Sequence, residues 1–421
     1  MLQKTEQTNQ RQMNEDSPNT VQYLKLGEFF CGPGGLAFGA VTATSDNSNK
    51  TLKIKHTWAN DFDADTCKTY AYNIANEKNC KSVICEDIRK LDIGKLEPVD
   101  IFAYGFPCND FSIVGKQKGM HGEYGPLYSY GVKVLNNLKP LVFVAENVGG
   151  IVSANGGGAF ERILHDLENA GNGYELTVHL YKSEEYGVPQ TRHRFVIVGI
   201  DKKLNLKFQV PAPTHKGNYV SAKEALADIP KNALNNEPAT ASATVTERLK
   251  HIQPGENAWT ANLPDHLKLN VKGAKMSQIY KRLHPDLPSY TLTGSGGGGT
   301  HGYHYAVPRP LTNRERARIQ SFPDNFHFHG NYDSVRKQIG MAVPPRLSNV
   351  IFTAILNTLN GVKYAYIKAN YEHRKSPQLN FNFIKYDKKG SPAIYIRETQ
   401  HTTDGSRSYS GKSGSRAGIY R

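Results

Sequence analysis

Cysteine is scarce in this chain of 421 residues, with five in all, at 31, 67, 80, 85 and 108, and no two in a CxxC pair. Their irregular spacing argues against a disulfide framework, and the missing CxxC argues against a structural zinc site. Reduced thiols in a cytoplasmic protein are the expectation. Long hydrophobic runs are missing as well. No segment approaches ~18 uninterrupted apolar residues, so no membrane span is expected. The first twenty residues, MLQKTEQTNQRQMNEDSPNT, are polar throughout. They lack the apolar stretch of a signal peptide and read as a flexible leader. Acidic residues are outnumbered: 52 Lys and Arg face 38 Asp and Glu, a net charge of +14. An excess of that size points to a polyanionic partner. Residues 361–421 hold 12 Lys/Arg and 4 Asp/Glu, and so supply +8 of the +14. A solvated basic tail therefore accounts for over half of the signal.

What is present is a regular alternation. The apolar runs at 23–30, 54–60, 81–85, 99–104, 141–148, 175–181 and 194–200 read as strands. Segments of helical length lie between several of them, at 63–76, 126–138 and 158–170. In the last of these Phe160, Ile163, Leu164 and Leu167 recur at helical spacing. Strand–helix alternation of this kind predicts a doubly wound α/β sheet over 21–202. From about 203 to 334 the chain is rich in Pro, Gly, Asn, His and Thr, which reads as a second, smaller, irregular domain. Helical periodicity returns over 346–360, within a segment 335–360 that rejoins the first domain. The basic 361–421 extension ends in a Ser/Gly/Arg-rich stretch with the composition of a flexible tail.

Chemistry-bearing residues collect at the ends of the expected strands. EFFCGPGGLAFG (28–39) puts Gly32, Gly34 and Gly35 directly after the first strand, where glycines let the backbone approach a ligand. The spacing is not G-x-G-x-x-G, and a plain tight turn explains it equally well. WANDFDAD then sets Asp61 at a strand end, able to bind a ribose diol, with Phe62 beside it to stack on a purine. CEDIRKL sets Asp87 after the next strand, able to accept from an adenine amino group. Strand-end acids are also helix caps, a role that suits Asp63. The fourth strand ends in Pro107-Cys108 and the fifth in Glu146-Asn147-Val148. Cys108 alone would read as a buried small hydrophobe. Ligands of open α/β sheets bind outside the carboxyl ends of the strands, so Cys108 and Glu146 face one crevice. A thiolate with a carboxyl suits nucleophilic attack on an electron-poor ring, with a proton supplied at a ring nitrogen. QTRHR (190–194) brings Arg192 and Arg194 to one face of the last core strand, to pair with a carbonyl oxygen, a phosphate or the glutamate.

Taken together these residues resemble the DNA cytosine-5 methyltransferases of bacterial restriction–modification systems. The likeness runs from about 24 to 360 in the family's motif order. It covers F-x-G-x-G-G at 30–35, P-C-x-x-F-S at 107–112, E-N-V at 146–148 and Q-x-R-x-R at 190–194. RPLTNRERARIQSFPDNFHFHG (309–330) and QIGMAVPP (338–345) complete it. The resemblance implies a Rossmann-like S-adenosylmethionine-dependent sheet with a target-recognition domain at 203–334. It implies S-adenosylmethionine over Phe30, Gly32, Gly34, Gly35, Leu36, Asp61, Phe62, Asp87 and Ile88, bordered by Pro107 and Asn147, and no metal. The target cytosine leaves the duplex. Cys108 attacks its C6, Glu146 holds the N3/N4 edge, and Arg192 and Arg194 orient the O2 side and the glutamate. Ser112, Lys116 and Lys118 meet phosphates from a glycine-hinged loop, and Thr293, Ser295 and His301 read bases from 289–305. Double-stranded DNA is the implied partner, a cognate restriction endonuclease the functional one, and a monomer the implied state.

Two alternatives stay open: the same reaction on tRNA, whose branch carries a CFT tripeptide missing here, and a catalytically silent DNA-binding homologue. Four positions in three motifs depart from the family pattern. Asn109-Asp110 follow the nucleophile, Met341 replaces the usual Asn of the late motif, and Pro33 sits in the glycine turn.

Overall fold

Strands whose two faces are both apolar need cover on both sides, and that requirement organises this chain. The structure is a computed structural model. It describes residues 20–106, 127–152, 158–270, 276–294 and 298–371, with the backbone of 384–386 and 392–394. In chain order the first half runs β1 (Thr20–Phe29), α1 (Gly35–Val41), β2 (Thr44–Asp46), β3 (Lys50–Asp61), α2 (Ala64–Tyr70), β4 (Val83–Cys85), β5 (Ile101–Gly105), α3 (Tyr128–Leu138), β6 (Val142–Val148), α4 (Gly158–Glu168), β7 (Tyr174–Lys182), β8 (Gln190–Thr191) and β9 (His193–Asp201). The second half runs β10 (Val210–Pro211), α5 (Ala222–Leu226), α6 (Ala243–Lys250), β11 (Ser289–Tyr290), α7 (Asn313–Ile319), α8 (Tyr332–Met341), α9 (Pro345–Asn360), β12 (Tyr366–Ile367), β13 (Ile384–Tyr386) and β14 (Pro392–Ile394).

The central sheet has the order β3-β1-β5-β6-β9-β7. β1, β3, β5 and β6 are parallel, β9 runs antiparallel to β6, and β7 runs antiparallel to β9. The outer edge of β3 is shared by β2, antiparallel near its start, and β4, parallel near its end. The expected strands all form, with shifted ends, while β2 went unread. The chain moves outward from β1 to β3 and then returns to β5 on the other side. The carboxyl ends of β1 and β5 thus flank the point where the order reverses, which is where such sheets bind ligands.

The two faces carry different side chains. One presents Leu24, Leu26, Ile101, Ala103, Val142, Val144, Val196 and Val198 to Leu36, Ala37 and Ala40 of α1, Cys67 and Tyr70 of α2, and Leu347, Ile351 and Ile355 of α9. The other is an aromatic layer: Phe29 lies 5.4 Å from both Trp58 and Phe102, and Phe102 stacks on Tyr104 at 5.0 Å. α3 covers it by setting Gly131 against the Tyr104 ring, and α4 sets Phe160 5.7 Å from Phe195. The sheet is doubly wound, as its alternating sequence predicts.

One helical expectation needs correcting. The 63–76 segment is α-helical only to Tyr70 and continues as a single wider turn over Ala71–Ala75. Asn73 on that turn reaches out to bond Thr69 O at 2.6 Å and both His327 O and N, at 2.7 and 2.9 Å.

Between β10 and α7 the chain has few ladders to satisfy its carbonyls, and buried arginines replace them. Arg282 donates to Ile252 O at 2.7 Å and His304 O at 3.1 Å, while Arg314 donates to Leu234, Pro323 and Phe326 carbonyls at 2.7–2.9 Å. Two small apolar clusters form there, one around Leu283, Leu292 and Leu311 and one around Leu249, Ile252 and Tyr303. Among the described residues only 332–360 has the length and apolar composition to cross a membrane. It comprises α8 and α9, and two thirds of its most apolar window is buried. Contacts divide the chain into two units, 1–374 and 375–421. The second contains the antiparallel pair β13–β14.

Candidate active site

The turn after β1 is built from residues in left-handed backbone. Phe30 (φ 52°), Gly32 (φ 54°) and Gly34 (φ 93°) all have positive φ. A Cβ on Gly32 would meet nothing within 4 Å, so the turn opens onto free space. Gly35 is needed for the opposite reason, since the Val343 carbonyl oxygen would lie 2.2 Å from a Cβ there. Leu36 is buried behind the turn. Asp61, at the end of β3, closes the turn from the side. Its Oδ2 accepts from Gly32 N at 3.0 Å and its Oδ1 from Asp63 N at 3.1 Å. Burial raises the Asp61 carboxyl, and those two N–H groups oppose the shift. A carboxylate has about four lone-pair directions, and with the Phe62 N–H also pulling on Asp61 some acceptor capacity is left for a ligand hydroxyl. Phe62 beside it is 72% exposed, an aromatic face free for stacking. Asp63 caps α2 by accepting from Thr66 N at 3.0 Å, as its position suggests.

Asp87 sits further along this edge, with its carboxylate turned to Arg89 at 2.5 Å. That hydrogen bond pulls its pKa down to about 2. Ile88 next to it is buried. Asn147 spends its side chain on the protein. Its Nδ2 donates to Phe106 O at 3.1 Å, and its Oδ1 accepts from Val148 N at 2.8 Å. It therefore fixes the chain just before the 107–112 motif.

Glu146 pairs in register with Gly105, the last residue of β5, and a Cβ on that glycine would lie 3.2 Å from Glu146 Oε2. Arg194 Nε lies 2.8 Å from Glu146 Oε1, with both side chains 12% exposed. The contact is ionic without hydrogen-bond alignment, so Oε1 keeps unused acceptor capacity. Burial raises the Glu146 carboxyl, and Arg194 and then Arg192 pull it back. Arg192 is 1% exposed, leaves its Nε unpartnered and donates from Nη2 to Met341 O at 3.4 Å. Burial, together with the Arg194 charge, pushes its guanidinium well below the usual range. Three of the four predicted catalytic residues thus converge on one strand end. Cys108, the fourth, lies outside the described residues, as do Pro107, Asn109, Asp110, Ser112, Lys116, Lys118 and Ser295. Thr293 is exposed, and His301 is partly buried near a buried Tyr303. Among the described residues no three His, Cys, Asp or Glu side chains converge as a metal site.

A family model described as C-5 cytosine-specific DNA methylase matches residues 24–357. The chain belongs to that family. This methyltransferase is 56% identical over 356 residues to the Type II methyltransferase M.BbvI of Brevibacillus brevis, spanning 83% of the chain and 95% of that protein. It is 41% identical to M.NgoFVII of Neisseria gonorrhoeae over 332 residues, spanning 76% of the chain and 83% of that protein. A solved E. coli prophage-encoded protein described as a DNA modification methyltransferase shares the fold with TM-score 0.60 at 23% identity, over 80% of this chain and 99% of that one. The enzyme is a DNA (cytosine-5-)-methyltransferase. Its late QIGMAVPP motif acts through backbone: the carbonyls of Met341, Ala342 and Val343 meet Arg192, Gln320 and the Gly35 position in turn. Met341 supplies its carbonyl as any residue would, and its side chain is 65% exposed. Gln190 and Gln320 fall within the Q-x-R-x-R and 309–330 motifs, where residue type and local spacing signal no role for them.

Proposed function

We propose that the enzyme transfers a methyl group from S-adenosylmethionine to C5 of a cytosine flipped out of a specific short duplex sequence, through a Cys108 adduct at C6. The observation that carries this reading is Glu146, largely buried at a strand end against Arg194 with Arg192 beside it. Cys108 stands three residues after Gly105 in the sequence, and Gly105 is the residue of β5 paired in register with Glu146. The thiolate adds to C6 while a proton goes to N3 at the Glu146 edge. Burial favours the protonated carboxyl that such a donation needs. C5 then takes the methyl group and releases S-adenosylhomocysteine, N3 returns its proton to the Glu146 carboxylate, the C5 proton leaves to water, and the C6–S bond breaks to restore the ring and the Cys108 thiolate. The free space above Gly32, the remaining acceptor capacity of Asp61 and the exposed Phe62 ring fit an adenosine-bearing methyl donor.

Residues 203–334 form the target-recognition domain, with Thr293, Ser295 and His301 reading bases, while Ser112, Lys116 and Lys118 hold phosphates. The enzyme works as a cytoplasmic monomer, and relatives named as Type II methyltransferases support a cognate restriction endonuclease as its functional partner. Bisulfite sequencing of DNA from a methylation-free host expressing the chain tests this. Conversion-resistant cytosines at one short motif are expected, and Cys108→Ser should abolish them. Methylation of tRNA in place of duplex DNA, or no covalent adduct on duplex DNA carrying 5-fluorocytosine at the motif cytosine, would overturn it.

A further inference from the structure

Gln190 and Gln320 are 0% and 1% exposed, and their amides join end to end. Gln190 Oε1 accepts from Leu292 N at 3.3 Å, Gln190 Nε2 donates to Gln320 Oε1 at 2.7 Å, and Gln320 Nε2 donates to Ala342 O at 2.6 Å. The polarity of this chain is forced from both ends. A backbone N–H only donates and a backbone carbonyl only accepts, so neither amide can flip without breaking two contacts.

The two ends lie in different parts of the molecule. Leu292 belongs to the loop that follows β11, itself tied to β8 in parallel register at Ser289–Gln190 and by Thr291 Oγ1 to Thr191 O at 2.6 Å. Ala342 lies between the carbonyl that meets Arg192 and the carbonyl that meets Gly35. The same loop also crosses α8 with no space to spare. A Cβ on Gly340 would stand 2.0 Å from Gly294 N, and one on Gly294 would stand 2.4 Å from Lys337 O.

We propose that Gln190 and Gln320 are positioning residues that lock the 291–294 loop to the 341–343 carbonyls. Discrimination between target sequences then depends on them. The proposal rests on the reading above, in which that loop faces DNA and the 341–343 segment supports the catalytic arginine and the cofactor turn. A packed side chain with no such role would lower stability and slow all substrates alike. A link in a chain shared by two sites alters their coupling.

The test compares wild type with Gln190→Met, Gln320→Met and the double variant, which keep side-chain length and remove the amides. Two readouts are used. In bisulfite sequencing of host DNA, methylation at one-base variants of the target motif relative to the motif itself should rise about 3- to 30-fold in each variant. The double variant should do no more than either single one. Equal loss at all sites, or additive effects, would overturn the proposal. Independently of any DNA activity, deuterium exchange over 289–294 should quicken in Gln320→Met, two links away from Leu292, while β5 and β6 keep their protection. Unchanged exchange in that loop would also overturn it. A wild-type chain that methylates no DNA, with the exchange result intact, would refute the DNA reading and leave the coupling in place.

Discussion

At the scale of single residues, the Glu146–Arg194 pair sets charge against charge in a largely buried place. Removing one partner of a buried pair strands the other charge, at a cost of about 3–5 kcal/mol. Arg194→Ala should therefore lower stability by at most roughly that amount, because the Glu146 carboxyl, already raised by burial, takes up a proton once Arg194 is gone. Adding Glu146→Gln should recover most of it, because the carboxyl that must take up that proton goes too, while methylation stays lost in both variants. Urea melts of the three variants check this. Glu28 offers a cleaner pH test. It is 1% exposed, and burial lifts its carboxyl well above the ordinary 4.5, against the opposing hydrogen bond from Tyr70 at 3.1 Å. A carboxyl raised in the folded state binds its proton more tightly there than in the unfolded chain. Its contribution is intact below pH 4.5 and is lost as pH rises through the folded pKa. Glu28→Gln should thus raise Tm at neutral pH, with the gain vanishing near pH 4.5, as scanning calorimetry across that range would show. That Glu146, Arg192 and Arg194 come together was legible from residue type and strand-end position, because all three lie at the ends of apolar runs on strands of one sheet. Their unaligned ionic contact was not, since it depends on how a strand at 142–148 meets one at 193–201.

At the scale of elements, the crossing of α1 and α9 leaves no room for a side chain at Gly39. A Cβ on Gly39 would lie 2.4 Å from Ser348 Cβ and 2.5 Å from Asn349 N, and Ser348 Oγ donates to Leu36 O at 2.5 Å. Gly39→Ala gains helix propensity and loses more to overpacking, so it should cost about 1–3 kcal/mol. The expected signature is a lower urea midpoint with an unchanged slope. The strands were readable because burial on both faces leaves continuous apolar runs. β2 was not, because Thr44-Ser45-Asp46 at a sheet edge carries no pattern at all. The α2 boundary was misread because periodicity continues through Ala71–Ala75, while the wider turn belongs to Asn73 and a partner 254 residues away.

At the scale of the whole molecule, the first and last parts of the described fold complete one core. α9 covers the same aliphatic face that β1, β3 and α1 open, so a chain ending at Val343 should be recovered only as aggregate. A cooperative calorimetric transition from such a chain would contradict that. Distance along the chain also explains why the glutamine pair escaped notice. Its links span 102, 130 and 22 residues, and no local pattern reports a contact of that kind.

The late arrival of α9 has a consequence for biosynthesis. Helix α1 ends at Val41 and α9 begins at Pro345, about 300 residues later, or roughly 15–60 s of translation at ~5–20 residues per second. Throughout that interval the nascent sheet presents Leu24, Leu26, Leu52 and Ile54 without their final cover. A holding chaperone on the ribosome-bound chain would suit this period better than one acting after release.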